Sequence, residues 1–279
     1  MYKSNLAVLC LLILSLSSCK NTQKSNTTDN SEITETAPET RQARFLLVHS
    51  AWLGGWQWEQ VAKPLLEAGH CVFTPDLRGH GTDATPSSEI SMERYLKTIT
   101  DLLDTQKEPV ILVGHSFNGI TISRVAELHP EKIEKLVYLT AFLLPEGGSF
   151  FKAVSGVEGS KAVENFILQK TKYAFVKEAK MHNAFAHDIP LEAVEAAKPS
   201  IVPEPVAPLG DELEITDKNF GMLPKYDIEC TEDRAIPIAV QRSMYQGKVE
   251  KVFSLNTSHT PNFSQPGELA KILLEIAGL

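Results

Sequence analysis

The chain has 279 residues, of which 43% are hydrophobic and 22% are charged, and its formal net charge is −8 at pH 7. This length and composition allow one sizeable buried core with a small inserted subdomain. The acidic balance argues against a nucleic-acid partner, because a surface that binds a polyanion needs an excess of Lys and Arg.

The amino terminus has the layout of an export signal. Lys3 precedes an apolar run from Leu6 to Leu16, which is too short to span a membrane. Leu16-Ser17-Ser18-Cys19 resembles the lipobox of bacterial lipoproteins, in which cleavage leaves the cysteine as a lipid-carrying first residue. We therefore predict a signal peptide over residues 1–18 and a lipid anchor on Cys19. The protein would be exported and held on a bacterial membrane, facing the periplasm or the cell surface; the alternative is a plain secreted protein.

Polar residues dominate from Lys20 to about Arg41. Such a segment cannot bury enough apolar surface to order itself, so we predict a disordered tether over residues 19–41 and a folded domain over residues 42–279.

Short apolar runs alternate with helix-patterned segments through most of this domain. Because the runs are apolar throughout, and not at every second residue, they predict an α/β fold with a mainly parallel sheet of about six strands covered by helices on both faces. The predicted strands are Arg44–His49, Cys71–Thr74, Val110–Val113, Leu136–Leu139, Tyr226–Cys230 and Lys251–Leu255.

This alternation stops between Glu146 and Leu223. Helix-like patterns cover Lys161–Lys170, Tyr173–Ala186 and Pro190–Lys198, and no strand pattern is convincing. We therefore predict a helical cap inserted at about residues 146–223.

The segment Gly114-His115-Ser116-Phe117-Asn118-Gly119 follows the third predicted strand and precedes a helix pattern. This arrangement predicts a nucleophile elbow, a tight turn that exposes Ser116 at the edge of the sheet. The usual pattern is G-x-S-x-G, and here Asn118 takes the place of the second glycine. An ordinary Gly-Ser turn between strand and helix is the alternative.

The residues that follow in the chain favour the catalytic interpretation. A serine triad on this fold runs in the order Ser, acid, His. Asp233 follows the fifth predicted strand, and His259 follows the sixth, so both belong at the edge where parallel sheets place their sites. Glu232 and Glu146 remain alternatives for the acid.

These motifs, together with Leu47-Val48-His49-Ser50-Ala51-Trp52 and Ile236-Pro237, resemble those of the α/β-hydrolases. Within that superfamily the chain resembles the small serine esterases grouped with plant methylesterases and hydroxynitrile lyases. The resemblance covers Arg44 to the end of the chain. It implies a Ser-His-Asp triad that cleaves carboxylic esters of small to medium size through an acyl-enzyme, without a cofactor.

The elbow predicts one oxyanion donor, the resemblance implies the other, and residues near them are candidates for the substrate pocket. The backbone N–H of Phe117, after the nucleophile, and that of Ala51 would hold the oxyanion. Ser50, Trp52 and Phe142 would line the pocket, where aromatic residues are otherwise ordinary core. His182 and His187 lack companions at metal-ligand spacing, so we predict no metal site.

Two other functions use the same scaffold. The related hydroxynitrile lyases carry Thr at the position of Ser50 and Lys after the catalytic histidine, where this chain has Thr260. Some plant hormone receptors resemble the superfamily and bind a ligand without catalysis. The sequence does not predict the oligomeric state.

Overall fold

The computed structural model describes residues 41–169 and 172–279. The predicted signal peptide, Cys19 and all but the last residue of the predicted tether lie outside the described residues. Arg41–Leu279 forms one compact unit. The strands described in it are β1 (Arg44–Val48), β2 (Cys71–Phe73), β3 (Val110–His115), β4 (Ile133–Leu139), β5 (Phe166–Gln169), β6 (Tyr173–Val176), β7 (Glu204–Pro205), β8 (Lys225–Cys230) and β9 (Lys251–Leu255). The α-helices described in it are α1 (Glu59–Glu67), α2 (Met92–Asp104), α3 (Asn118–Leu128), α4 (Phe150–Val154), α5 (Glu178–Phe185), α6 (Leu191–Ala197), α7 (Val206–Gly210), α8 (Ile238–Tyr245), α9 (Pro261–Ser264) and α10 (Pro266–Gly278).

The main sheet has six parallel strands in the order β2-β1-β3-β4-β8-β9. All six residues of β3 are buried, as expected for a central strand covered on both faces. The predicted fold class is confirmed. Since the strands are parallel, Ser116, Asp233 and His259 all follow the carboxyl ends of their strands at one edge of the sheet.

Helices cover the two faces of this sheet and form two apolar clusters. In β1, Phe45 and Leu47 pack with α1 and α10 on one face, whereas Leu46 and Val48 pack with α2 and α3 on the other. The helix α2 forms where it does because its buried residues recur at helical spacing, which places them on one stripe. These residues are Met92, Tyr95, Leu96, Ile99 and Leu103.

The inserted segment between β4 and β8 contains helices α4 to α7, of which α5 and α6 lie within predicted helices, and it also contains a three-stranded sheet of β5, β6 and β7. The helix predictions over Lys161–Lys170 and Tyr173–Ala186 are wrong at Phe166–Gln169 and Tyr173–Val176, which are antiparallel strands. Alternate residues of β6 are buried, so its apolar residues face the core with a period of two. We call residues 146–223 the cap.

In the part of the chain that the structure describes, no helix combines the length and the apolar character that crossing a membrane requires.

Candidate active site

Ser116 lies in the turn between β3 and α3 with a φ of +58°. This left-handed conformation is unfavourable for a residue with a side chain, so the surrounding structure must hold it. The Ser116 N–H donates to the carbonyl of Leu139 at 3.2 Å, and its own carbonyl accepts from the N–H groups of Gly119 and Phe142, both at 3.1 Å. The elbow predicted from the sequence is therefore present.

Small residues let this turn pack closely. A Cβ on Gly119 would lie 2.7 Å from the carbonyl oxygen of Phe142, so the close approach requires glycine at this position. Asn118 fills the place of the missing second glycine. Its Nδ2 donates to the His49 carbonyl at 2.6 Å, and its Oδ1 accepts from Thr121 Oγ1 at 2.6 Å. Asn118 thus connects the elbow to the end of β1, a role that the sequence analysis missed.

His259 and Asp233 form a buried pair. Nδ1 of His259 donates to Oδ2 of Asp233 at 2.6 Å, and that oxygen also accepts from Thr140 Oγ1 at 2.5 Å. The other carboxylate oxygen accepts from the N–H groups of Ala235 at 2.6 Å and Ile236 at 2.9 Å. These hydrogen bonds fix the plane of the carboxylate and leave Nε2 of the imidazole free to face the site.

The two alternative acids lie elsewhere. Glu232 is exposed, and the exposed Glu146 accepts from the backbone N–H of Ile215 at 2.5 Å. Of the three carboxylates considered, Asp233 is the one that contacts His259.

Ser116 and His259 line the same cavity, which has a volume of about 480 Å³. Ser50, Ala51 and Trp52 also line it, as predicted for the pocket and the oxyanion loop. The rest of the wall is mostly apolar and comes largely from α1, α5 and α6 and from Phe263 in α9. Its aliphatic and aromatic members include Leu53, Trp56, Met181, Phe185, Ile189, Val194 and Ile201.

Phe142 is not among the residues that line this cavity. It is 5% exposed, and its ring packs against Phe150 with the ring centroids 5.4 Å apart. The pocket prediction for Phe142 is therefore wrong, because the residues after β4 turn into the core under the cap. Phe117 and Trp58 are also core residues, with exposures of 1% and 0%.

His115 and Gln57 connect the loop of His259 to the loop after β1. Nε2 of His115 donates to the backbone carbonyl of His259 at 2.8 Å, and its Nδ1 accepts from Gln57 Nε2 at 3.1 Å. The Gln57 amide oxygen then accepts from the N–H of Ser50 at 3.0 Å. Burial, followed by the nearby His259, holds the pKa of His115 well below its usual range, which keeps the ring neutral as this pattern requires.

Side chains form hydrogen bonds with the backbone of the loop after β1, and His49 is one of them. Nε2 of His49 accepts from the Leu77 N–H at 3.0 Å, so its Nδ1 carries the proton and donates to the Ser50 carbonyl at 2.8 Å. Burial first, then the charge of His80, lowers the pKa of His49 to about 4, which is consistent with this neutral ring.

Hydrogen bonds also hold the backbone of Ala51 and Trp52, the next two residues of the loop. The Ser50 hydroxyl lies 3.2 Å from the carbonyl oxygen of Ala51. The N–H of Trp52 donates to Glu204 Oε2 at 3.1 Å, and the Trp52 carbonyl accepts from the Val202 N–H at 2.9 Å. Among the described residues, no acceptor takes a hydrogen bond from the N–H of Ala51 or from that of Phe117.

The cap also holds the loop of His259. The Phe185 carbonyl at the end of α5 accepts from Ser258 Oγ and from Thr260 Oγ1, both at 2.9 Å. The Phe185 ring packs against the His259 imidazole at a tilt of 56°, with a centroid distance of 5.5 Å. Asp188 accepts from the Ser258 N–H at 2.9 Å. The hydroxyls on either side of His259 are therefore used to attach the cap.

The described residues contain no group of three or more His, Cys, Asp or Glu side chains that could hold a metal ion. Nε2 of His182 lies 2.8 Å from the Ile189 carbonyl, a hydrogen bond within the cap.

Residues 45–272 match the model of the Alpha/beta hydrolase family. The chain belongs to this family. It is 36% identical to the putative chloroplastic methylesterase 11 of Arabidopsis thaliana over 251 residues, which are 84% of this chain and 63% of that protein. It is 33% identical to the pyrethroid hydrolase of Sphingobium wenxiniae over 246 residues, which are 84% of this chain and 87% of that protein.

A solved structure of this family has the same architecture. The crystal structure of a pyrethroid hydrolase from Sphingobium faniae JZ-2 matches with a TM-score of 0.78 and 30% identity, over 85% of this chain and 98% of that one. The resemblance to α/β-hydrolases near the plant methylesterases, predicted from the motifs, is confirmed at the level of the family.

Proposed function

We propose that this chain is a serine carboxylic-ester hydrolase with Ser116 as nucleophile, His259 as general base and Asp233 as the residue that orients the base. The observation that carries the proposal is the 2.6 Å contact of His259 with Asp233 beside a cavity that also exposes Ser116. The relatives are named as methylesterases and as a pyrethroid hydrolase, which supports ester substrates.

In the proposed reaction, Ser116 Oγ attacks the ester carbonyl carbon while Nε2 of His259 takes its proton. The tetrahedral oxyanion accepts hydrogen bonds from the N–H groups of Ala51 and Phe117, which have no described acceptor of their own. Collapse breaks the bond to the alkoxy group, and His259 returns the proton to the leaving alcohol. Water then hydrolyses the acyl-enzyme with His259 as base, which releases the acid and restores Ser116.

We propose that the substrates are uncharged, largely apolar esters of small to medium size. The cavity wall is mostly aliphatic and aromatic, and besides His259 the described residues that line it include one ionisable side chain, the exposed Glu59. A carboxylate on the substrate would find no cationic partner there and would lose hydration on entry. The carboxylate product would be disfavoured for the same reason, which would help its release.

The decisive experiment is hydrolysis of 4-nitrophenyl butyrate by the purified chain and by Ser116→Ala, with fluorophosphonate labelling and peptide mapping. We expect labelling on Ser116 and a loss of kcat of about 10³-fold or more in the variant. Retention of full activity in Ser116→Ala would contradict the proposal. A wild-type protein inert to both esters and the probe would instead support a binding function.

A hydroxynitrile lyase is the second candidate, since Ser50, which carries a hydroxyl, lines the same cavity as Ser116. The resemblance assigns that reaction a lysine at the position of Thr260, whose hydroxyl here donates to the Phe185 carbonyl. We therefore expect no Ser116-dependent release of cyanide from mandelonitrile.

We also propose that the protein is exported and anchored through a lipid on Cys19. The support is the sequence pattern of residues 1–19. Fractionation of cells that express the full chain tests it: we expect membrane association that is lost in Cys19→Ala, whereas an unchanged distribution would contradict the anchor.

A further inference from the structure

Trp52, the residue after the proposed oxyanion donor Ala51, is attached to the cap at three points. Its N–H donates to Glu204 Oε2 at 3.1 Å, and its indole Nε1 donates to the Ala174 carbonyl at 2.8 Å. Its carbonyl accepts from the Val202 N–H at 2.9 Å. Ala174 and Glu204 are paired neighbours on β6 and β7, so the small sheet of the cap binds Trp52 through two adjacent strands.

Glu204 is a buried carboxylate with a full set of partners. It is 1% exposed, and the oxygen that accepts from Trp52 also accepts from His80 Nε2 at 2.8 Å. Its second oxygen accepts from the Tyr95 hydroxyl at 2.9 Å. Burial alone would raise the pKa of Glu204, but the charge of His80 and these hydrogen bonds lower it overall, so the carboxylate stays ionised.

The backbone of Trp52 needs this support. Its φ is +65°, a left-handed conformation that is strained for a bulky side chain. Without Glu204 the Trp52 N–H would lose its acceptor in a part-buried place, and less would hold Trp52 in this strained conformation. Relaxation of the Trp52 backbone would move the adjoining Cα of Ala51, and with it the Ala51 N–H.

We propose that Glu204 is a positioning residue for the oxyanion site: by accepting the Trp52 N–H, it holds the Ala51 N–H toward the carbonyl oxygen of an ester bound at Ser116. The loop after β1 and the cap then position the donor together, through a hydrogen bond between residues 152 positions apart in the sequence. This inference rests on the proposed ester hydrolysis. Glu204 touches no reacting atom and acts through Trp52.

Glu204→Ala and Glu204→Gln test the proposal with 4-nitrophenyl butyrate and an alkyl trifluoromethyl ketone. The ketone forms a tetrahedral adduct with the serine, whose oxyanion needs the same donors as the transition state. We expect Glu204→Ala to lower kcat about 10- to 100-fold with KM changed less than threefold, and to weaken inhibition by the ketone by a matching factor. Glu204→Gln should restore most of both, because its amide oxygen can still accept the Trp52 N–H.

Glu229→Ala is the matched control. Glu229 is also a buried carboxylate, 3% exposed, with a cationic partner in Arg242 and a hydroxyl partner in Tyr245, and none of its hydrogen bonds with described residues involves the loop after β1. A merely structural role for Glu204 predicts that both alanine variants lower the melting temperature and leave kcat and ketone affinity as in the wild type.

Wild-type kcat and ketone affinity in Glu204→Ala would overturn the proposal, as would a loss confined to KM or to the melting temperature. If Glu204→Ala yields no folded protein, Glu204→Asp decides: it keeps the charge beside His80 but is one methylene shorter, and we expect at least a fivefold loss of kcat. Unchanged kcat in that variant would overturn the proposal. Failure of the ester hydrolysis itself would show separately, as inactivity of the wild type or full activity of Ser116→Ala.

Discussion

Nδ1 of His259 lies 2.6 Å from Oδ2 of Asp233, and the other oxygen of that carboxylate accepts two backbone N–H groups. The carboxylate therefore cannot rotate without breaking those bonds. This geometry assigns the proton of the neutral imidazole to Nδ1 and leaves Nε2 able to accept a proton from Ser116.

Asp233→Asn should lower kcat for 4-nitrophenyl butyrate by about 10³- to 10⁴-fold. The two backbone donors would hold the amide oxygen, so the amide NH₂ would face His259 and force the proton of the imidazole onto Nε2. Steady-state kinetics measure the effect. The neighbouring Glu232→Gln is the control and should stay within about twofold of the wild type, and the reverse ranking would reassign the acid.

Gln57→Leu should lower the free energy of unfolding, because it leaves the Ser50 N–H and His115 Nδ1 without their hydrogen bonds. Each buried polar group left unpaired costs about 1–3 kcal/mol. Urea denaturation monitored by tryptophan fluorescence measures the change. Gln60→Leu makes the same substitution at an exposed position three residues further along the chain, in α1, and we expect it to stay within about 0.5 kcal/mol of the wild type. Equal effects of the two variants would contradict the connecting role of Gln57.

Ala197→Leu should narrow the specificity for chain length. Ala197 lines the cavity from α6, so a larger side chain there takes space from long substrates. We expect kcat/KM to fall at least tenfold for 4-nitrophenyl octanoate and to change less than threefold for the acetate, from assays over a series of acyl chain lengths. Glu192→Leu, on the same helix but outside the cavity lining, should leave the series as in the wild type. A uniform loss over all chain lengths would contradict the prediction.

The His80–Glu204 pair should make stability depend on pH with a defined sign. Burial is the largest effect and lowers the pKa of His80, but the charge and hydrogen bond of Glu204, the Arg78 carbonyl and the charge of Asp76 together raise it by more, so the net direction is up. Such a group stabilises the fold fully below its unfolded pKa of about 6.5, and the contribution is lost as the pH rises through the folded pKa. Glu204, whose pKa is lowered, contributes above its unfolded value and loses its contribution as the pH falls.

The free energy of unfolding of the wild type should therefore exceed that of His80→Gln by more at pH 6 than at pH 9. Urea denaturation at both pH values measures this difference. The other ionisable groups that face His80 are His49, Asp76 and Tyr95. His49 stays neutral in the folded state down to a pKa of about 4, so it contributes the opposite trend to both proteins. A difference between the two proteins that grows from pH 6 to pH 9 would contradict the prediction.

The sequence patterns predicted the strands, helices and turns that depend on residues close together in the chain. β9 matches its predicted bounds, Lys251–Leu255, and α10 begins at Pro266 as predicted. The elbow at Ser116 follows from a strand, a small residue and a helix in succession. The strands β5 and β6 were missed because four-residue apolar runs carry no period long enough to distinguish a strand from a helix.

The sequence by itself determined the parallel sheet, the turn at Ser116 and the order in which serine, acid and histidine follow their strands, because apolar runs and turn residues act through neighbours in the chain. The tertiary structure alone decided that Asp233, and not Glu232, contacts His259, that Phe142 lies in the core, and that Glu204 in the cap holds Trp52. These contacts join residues far apart in the sequence. They depend on how the loops after the strands and the cap pack on the sheet, and no local pattern of residue types records that packing.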